Sequence, residues 1–339
     1  MSTNLLSGIQ VGMIRIGLPI CLTIGNLSSI LGLFVFFQKS MRNNPCIIYL
    51  IFYLITNLIY IDFTILSTIF SGYGMDFSIK SPIACCFRMY FSYVFTAIPS
   101  YLLIMASLDR MFVSSSNVHM RHRSNKRFVL FIIVFLIIFW SLFHLHAFFT
   151  SEIQINYGNR LTCTTRSGIS TSFVSYYGLI NAIIPIISMS LFGIETLRNI
   201  SKAHAQIGQR SLDKRLIILL IIQISLYIFL RLPMSTYLIY SQTTKYMIKS
   251  SNQTLIEQFV YFIVIFCQFV QVNLSPLMNL ISKSFRLELK RTFYRVIHQE
   301  HQIHRSLVQT RNGNTIQIQE MMTRQNNTLD KHQLVVRNA

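Results

Sequence analysis

Seven long apolar blocks, each enough to cross a bilayer as a helix, constrain this chain more than any other feature. They run Ile14–Phe37, Cys46–Phe70, Cys85–Val113, Phe128–Phe149, Ser175–Leu197, Leu216–Tyr240 and Phe259–Ile281. A hydrocarbon core about 30 Å thick needs roughly 20 apolar residues in a helix. Backbone polar groups in lipid must be satisfied internally, which leaves helices or closed barrels. A barrel would alternate polar and apolar residues in segments of about ten, and these blocks do not alternate. Only 12% of the 339 residues are charged, against about 25% in a typical soluble domain. The connectors are short, so the expected fold is an all-α membrane protein, a seven-transmembrane helix bundle with a short amphipathic eighth helix. The first block is longer than a signal-peptide core of about 7–15 residues and lacks a basic stretch before it and a small-residue cleavage site after it. It is read as a retained span.

Lys and Arg favour the cytoplasmic side of short loops. With the N-terminus outside, the inner loops hold Lys39 and Arg42; Arg110, Arg121, Arg123, Lys126 and Arg127; and Arg198, Lys202, Arg210, Lys214 and Arg215. Every cation from Lys283 onward joins them. The outer segments hold only Lys80, Arg160, Arg166, Lys245 and Lys249. The net charge of +19 therefore needs no nucleic-acid partner; anionic lipid at the inner leaflet and a cytoplasmic partner account for it. The layout expected is an extracellular N-terminus over 1–13, a bundle over 14–282, a membrane-surface helix over 283–297 and a disordered cytoplasmic tail over 298–339. In the surface helix Phe285, Leu289, Phe293 and Val296 recur at steps of four and three, flanked by Lys283, Arg286, Lys290, Arg291 and Arg295, a basic amphipathic pattern. The tail is polar; its Ser306, Thr310, Thr315, Thr323 and Thr328 are phosphorylatable or simply solvated.

Of the six cysteines, Cys85, Cys86 and Cys163 fall on the oxidising side, and Cys21, Cys46 and Cys267 lie in or at the ends of spans. No zinc spacing occurs. His144 and His146 are two apart, are expected on different faces, and so form no His-x-x-x-His pair. No metal or cofactor is expected. Asn252-Gln253-Thr254 is a glycosylation sequon in the last outer loop.

Cys85 and Arg110 lie 25 residues apart in the third block, about 37 Å along a helix, enough to reach both faces of the bilayer. The inner end carries Asp109-Arg110. Charged pairs inside spans are functional by default, but long cations near span ends also snorkel to the interface; both readings stand at this point. Arg231, near the middle of the sixth block, must find a partner: Gln268, Gln271, Asn273, an anionic ligand group, or water reached by snorkelling.

In combination these residues resemble the rhodopsin-like family of G-protein-coupled receptors, across roughly Ile14 to Arg295. Asp109-Arg110-Met111 resembles the family's Asp-Arg-Tyr motif, Gly25-Asn26 its first-span pair, and Trp140 its fourth-span tryptophan. Pro185, Pro233 and Pro276 resemble its helix-bending prolines, and Phe285 the aromatic that opens its eighth helix. The resemblance implies a disulfide from Cys85 to Cys163, with Cys86 as rival, and a plasma-membrane location. It implies that Arg110 pairs with Asp109 in the resting state and engages a heterotrimeric G protein when the sixth helix swings out. Asp213, twenty residues before Pro233, is placed for a second lock; an acid favoured by the helix dipole is the alternative. The conformational switch would involve Asn26, Asn57, Trp140, Pro185, Arg231, Pro233, Ser275, Pro276 and Asn279.

Several positions depart from the family. The seventh span reads Ser275-Pro276-Leu277-Met278-Asn279, without the family's first Asn and last Tyr. Arg231 stands where the family has a toggle tryptophan. Asn57, with Asp62 as rival, matches the family's sodium-binding aspartate; with Asn57 as the match, the charge of that site is lost. Ser92 and Phe269 stand where amine receptors and opsins carry Asp and Lys. A neuropeptide is the expected extracellular ligand, met by Arg88, Ser92 and Gln268, with arrestin a further partner through the tail. The rivals are a transporter or channel, which would show repeats and broken helices, and a receptor-like chain that no longer couples. No enzymatic activity is expected.

Overall fold

The computed structural model describes residues 3–38, 41–156, 160–166, 168–204, 211–244, 246–279, 285–292 and 294. It divides into two compact units, Met1–Arg286 and Leu287–Ala339. The first holds the bundle: α1 (Gly8–Phe36), α2 (Pro45–Gly72), α3 (Pro82–Ser114), α4 (Lys126–Thr150), α5 (Ser172–Lys202), α6 (Ile221–Thr243) and α7 (Ser251–Met278). All seven are long and apolar enough to cross a membrane. The chain is a multi-pass membrane protein.

Helix starts follow local chemistry. Pro45 and Pro82 open α2 and α3, where the missing N–H has no intrahelical partner to lose. The side chains of Asn44, Asn125 and Ser250 accept from backbone N–H groups of the first turns of α2, α4 and α7, satisfying donors that a helix leaves open. Pro99, Pro185, Pro233 and Pro276 sit inside helices; Pro99 was not anticipated from sequence. Both α1 and α2 widen into single π-helical turns, at Met13–Gly17 and Ile61–Ile65.

Small residues set the tightest packing. Gly25, Ser28, Ser29 and Gly32 are buried along one side of α1. A Cβ at Gly25 would lie 1.9 Å from Asn273 Oδ1 of α7, and one at Gly32 would lie 2.7 Å from Leu54 Cδ1 of α2. Small side chains let membrane helices approach closely, which packing needs when lipid is as apolar as Leu. Leu18, Tyr60, Ile61, Ile65, Ile69, Phe269 and Val272 form an apolar cluster among α1, α2 and α7. Outward-facing Phe131, Phe135, Phe139 and Leu142 of α4, with Ile180, Ile184, Ile187, Leu191 and Ile194 of α5, present surface that lipid covers.

One element was unforeseen. Between α4 and α5 the chain forms an antiparallel hairpin, β1 (Ser151–Asn156) with β2 (Arg160–Thr165), in which Ile153 faces Cys163. The expected surface helix over 283–297 is helical over 285–292. Phe285 is buried edge-on against Phe36, with ring centroids 5.5 Å apart; Phe293, Val296, Lys283 and Arg295 lie outside the described residues, as does 298–339.

Candidate functional site: a polar axis through the bundle

At one end of the bundle, Cys85 of α3 is bonded to Cys163 of β2, with S–S 1.96 Å. Cys86 instead directs its Sγ at the Phe148 carbonyl, 3.5 Å away, because adjacent helical residues point about 100° apart. Tyr93 and Thr165 share a 2.9 Å hydrogen bond that ties α3 again to β2. Arg88 is engaged by Asp76 Oδ2 at 3.2 Å and Ser78 Oγ at 2.8 Å. Burial alone would raise the Asp76 pKa, but the Ser78 hydroxyl and N–H and the Arg88 guanidinium outweigh it and hold the carboxyl below its ordinary range. Lys249 pairs with Glu257 of α7 at 2.7 Å, and Tyr240 of α6 donates to the same carboxylate at 2.8 Å. Asn252 is exposed at the start of α7 at this same end.

Midway along the bundle lies a polar cavity lined by residues of α2, α3, α6 and α7, among them Tyr53, Asn57, Thr96, Ser100, Tyr227, Arg231, Gln268 and Gln271. Arg231, 7% exposed, donates from Nη1 to Gln268 Oε1 at 3.1 Å, and its guanidinium lies 5.6 Å from the Tyr227 ring centroid. Tyr227 donates to Ser100 Oγ at 3.0 Å, joining α6 to α3. Tyr53 donates to Ser275 Oγ at 2.6 Å, joining α2 to α7. Of the residues expected to meet a ligand, Gln268 lines this cavity; Arg88 and Ser92 do not, and Ser92 shares a 3.2 Å hydrogen bond with Thr64. The rivals Asn57 and Asp62 separate clearly. Asn57 is 1% exposed in the cavity wall, whereas Asp62, in the π-helical turn, is on the outer surface and accepts from Asn26 Nδ2 at 2.7 Å.

At the opposite end, Arg110 is 2% exposed. Its Nη2 donates to Asn44 Oδ1 at 2.7 Å and Asp109 Oδ2 at 2.8 Å, while Ser124 Oγ donates to Asp109 Oδ1 at 2.5 Å. Asn44 Oδ1 also accepts from the Cys46 N–H, so one side chain both starts α2 and holds the arginine. Gln223 Nε2 donates to Asn279 Oδ1 at 3.2 Å, linking α6 and α7. The Asp213 side chain, and with it the expected Arg110–Asp213 lock, lies outside the described residues.

Trp140, buried, packs against Tyr101 at 4.6 Å and His144 at 5.6 Å between ring centroids. His144 and His146 lie in a 3-10 turn, where residues two apart still point about 120° apart; their ring centroids come within 5.5 Å, while His144 Nε2 meets the Tyr177 hydroxyl and His146 Nδ1 the Phe143 carbonyl, each at 2.9 Å. Among the described residues no cluster of three His, Cys, Asp or Glu could hold a metal. Pro185 and Pro276 are buried and Pro233 half-buried. Sequence reasoning missed Asn44, Tyr53, Ser100, Gln223 and Tyr227 as cross-links; buried polar residues at helical spacing in an apolar block were the available signal. Compared with protein-family models and with curated proteins, the chain matches none.

Proposed function

We infer that the chain is a rhodopsin-like G-protein-coupled receptor of the plasma membrane, with its disulfide end outside and its Arg110 end cytoplasmic. The observation that carries this reading is the Arg110 site: a buried cation held by Asp109 and Asn44 at the far end of the helix whose other end is clamped by Cys85–Cys163. A rigid anchor at one rim and a few polar contacts at the other suit a two-state bundle that a ligand biases. Between them, Tyr227–Ser100, Arg231–Gln268, Tyr53–Ser275 and Gln223–Asn279 are side-chain contacts that a displacement of α6 or α7 would have to exchange. The transducer would be a heterotrimeric G protein engaged by Arg110, with arrestin binding through the tail and no nucleic acid, cofactor or enzymatic step involved. The ligand is proposed to be an extracellular neuropeptide passing the hairpin, where Glu152 and Arg166 supply charge.

A peptide library applied to cells expressing the chain, read by G-protein dissociation, tests this. A peptide response that Arg110→Ala abolishes while surface peptide binding persists is the expected result. Membrane-impermeant labelling that finds positions 85 and 110 on one side would overturn the reading.

A further inference from the structure

We propose that the mid-bundle cavity is a binding site for a small monovalent anion, chloride by size and charge, held between Arg231 and Asn57. This inference stands apart from the receptor reading. An arginine cannot shed its proton inside a protein, and a buried charge without a counter-charge is costly. The described acids of the spans are all bonded elsewhere: Asp62 to Asn26, Asp109 to Arg110, Glu195 to Arg198 and Glu257 to Lys249. Among the described residues no carboxylate pairs with Arg231, whose partners are the neutral Gln268 amide and the Tyr227 ring.

Arg231 Nε is buried in this wall with no acceptor among the described residues, and the buried Asn57 Nδ2 has the Tyr53 hydroxyl beside it, which leaves the second N–H of its amide for another acceptor. Both residues line the same cavity. They belong to α6 and α2, so an acceptor between them would bridge two helices that Tyr53–Ser275 and Tyr227–Ser100 already draw toward α7 and α3. The space holds about one water-sized body. Chloride, a single atom somewhat larger than a water, accepts several hydrogen bonds in any direction and carries the missing charge. A carboxylate needs room for a carbon framework besides its oxygens, and a water supplies no charge. Asn57 serves where an acid would instead have neutralised Arg231 and closed the site.

The test uses the full-length chain purified in detergent. Its Tm is followed as sodium chloride, bromide, acetate or gluconate is varied at constant ionic strength, with potassium chloride as the cation control. Chloride and bromide are expected to give a saturable rise in Tm that gluconate and acetate do not, unchanged when potassium replaces sodium. Arg231→Gln is expected to flatten the chloride response. Asn57→Asp is expected to do the same while raising Tm in gluconate, because its carboxylate supplies the charge internally; this variant serves if Arg231→Gln fails to fold. Equal Tm in chloride and gluconate would overturn the proposal in favour of water. A stronger response to acetate would overturn it in favour of a carboxylate ligand, and a chloride response surviving in both variants would place the site elsewhere.

Discussion

Tyr53 of α2 donates a buried 2.6 Å hydrogen bond to Ser275 of α7, one residue before the helix-bending Pro276. The hydroxyl at 275, where the resemblance expects an amide, thus has a specific partner across the bundle. Ser275→Ala leaves the buried phenol without its acceptor, a loss of about 1–3 kcal/mol, whereas Tyr53→Phe removes a bond worth about 1 kcal/mol net. The double variant is expected to cost less than the two singles added together, because the second change removes no further bond. Thermal unfolding of the four proteins measures this coupling; strict additivity would show that the bond does not form.

Gly25 and Asn273 make the closest approach of α1 to α7. Because a Cβ at 25 would sit 1.9 Å from Asn273 Oδ1, Gly25→Ala forces the amide or the helix to move, at an expected cost of about 1–3 kcal/mol. Asn273→Ala in the Gly25→Ala background should recover most of that loss, since it removes the colliding atom. A Gly25→Ala protein as stable as the parent would show that the helices part without cost.

The disulfide separates the two neighbouring cysteines cleanly. Cys85 and Cys163 close a loop spanning 78 residues, and removing such a cross-link costs up to about 4 kcal/mol in the chain-entropy model. Cys85→Ser and Cys163→Ser should lower Tm equally, and Cys86→Ser should leave it nearly unchanged. A large drop on Cys86→Ser alone would reassign the bridge.

The seven spans were legible because a bilayer imposes length and apolarity on each helix separately, so the signal needs no knowledge of tertiary contacts. The Asp109–Arg110 pair was legible as neighbours in sequence. Its third member, Asn44, was not, because its contact with Arg110 joins residues 66 apart in sequence. Arg88 showed why a cation near a span end is ambiguous: the acid that engages it, Asp76, sits in a loop whose 3-10 turn Phe77–Ile79 has no distinctive pattern. Asn57 and Asp62 could not be ranked by spacing, because the π-helical turn at Ile61–Ile65 shifts the face on which Asp62 falls. The hairpin carried a two-residue alternation, Glu152-Ile153-Gln154-Ile155, that a short polar loop easily hides.

Asp76 supplies the pH dependence at the disulfide end. Burial raises its pKa, but hydrogen bonds from the Ser78 hydroxyl and N–H and the charge of Arg88 prevail, and the folded value lies below the ordinary aspartate value. A carboxyl depressed in the folded state binds protons more readily when unfolded. Its contribution is therefore fully present above the unfolded pKa and is lost as pH falls through the folded one. Lowering pH from about 6 to about 3, across the ordinary carboxylate range, should reduce Tm more steeply in the parent than in Asp76→Asn, which has no proton to gain. The other acids titrate alike in both proteins and cancel in the comparison. Arg88→Met should reduce the same slope by removing the charge that holds Asp76 ionised. Parallel Tm profiles for parent and Asp76→Asn would mean that the carboxylate does not support this end of α3.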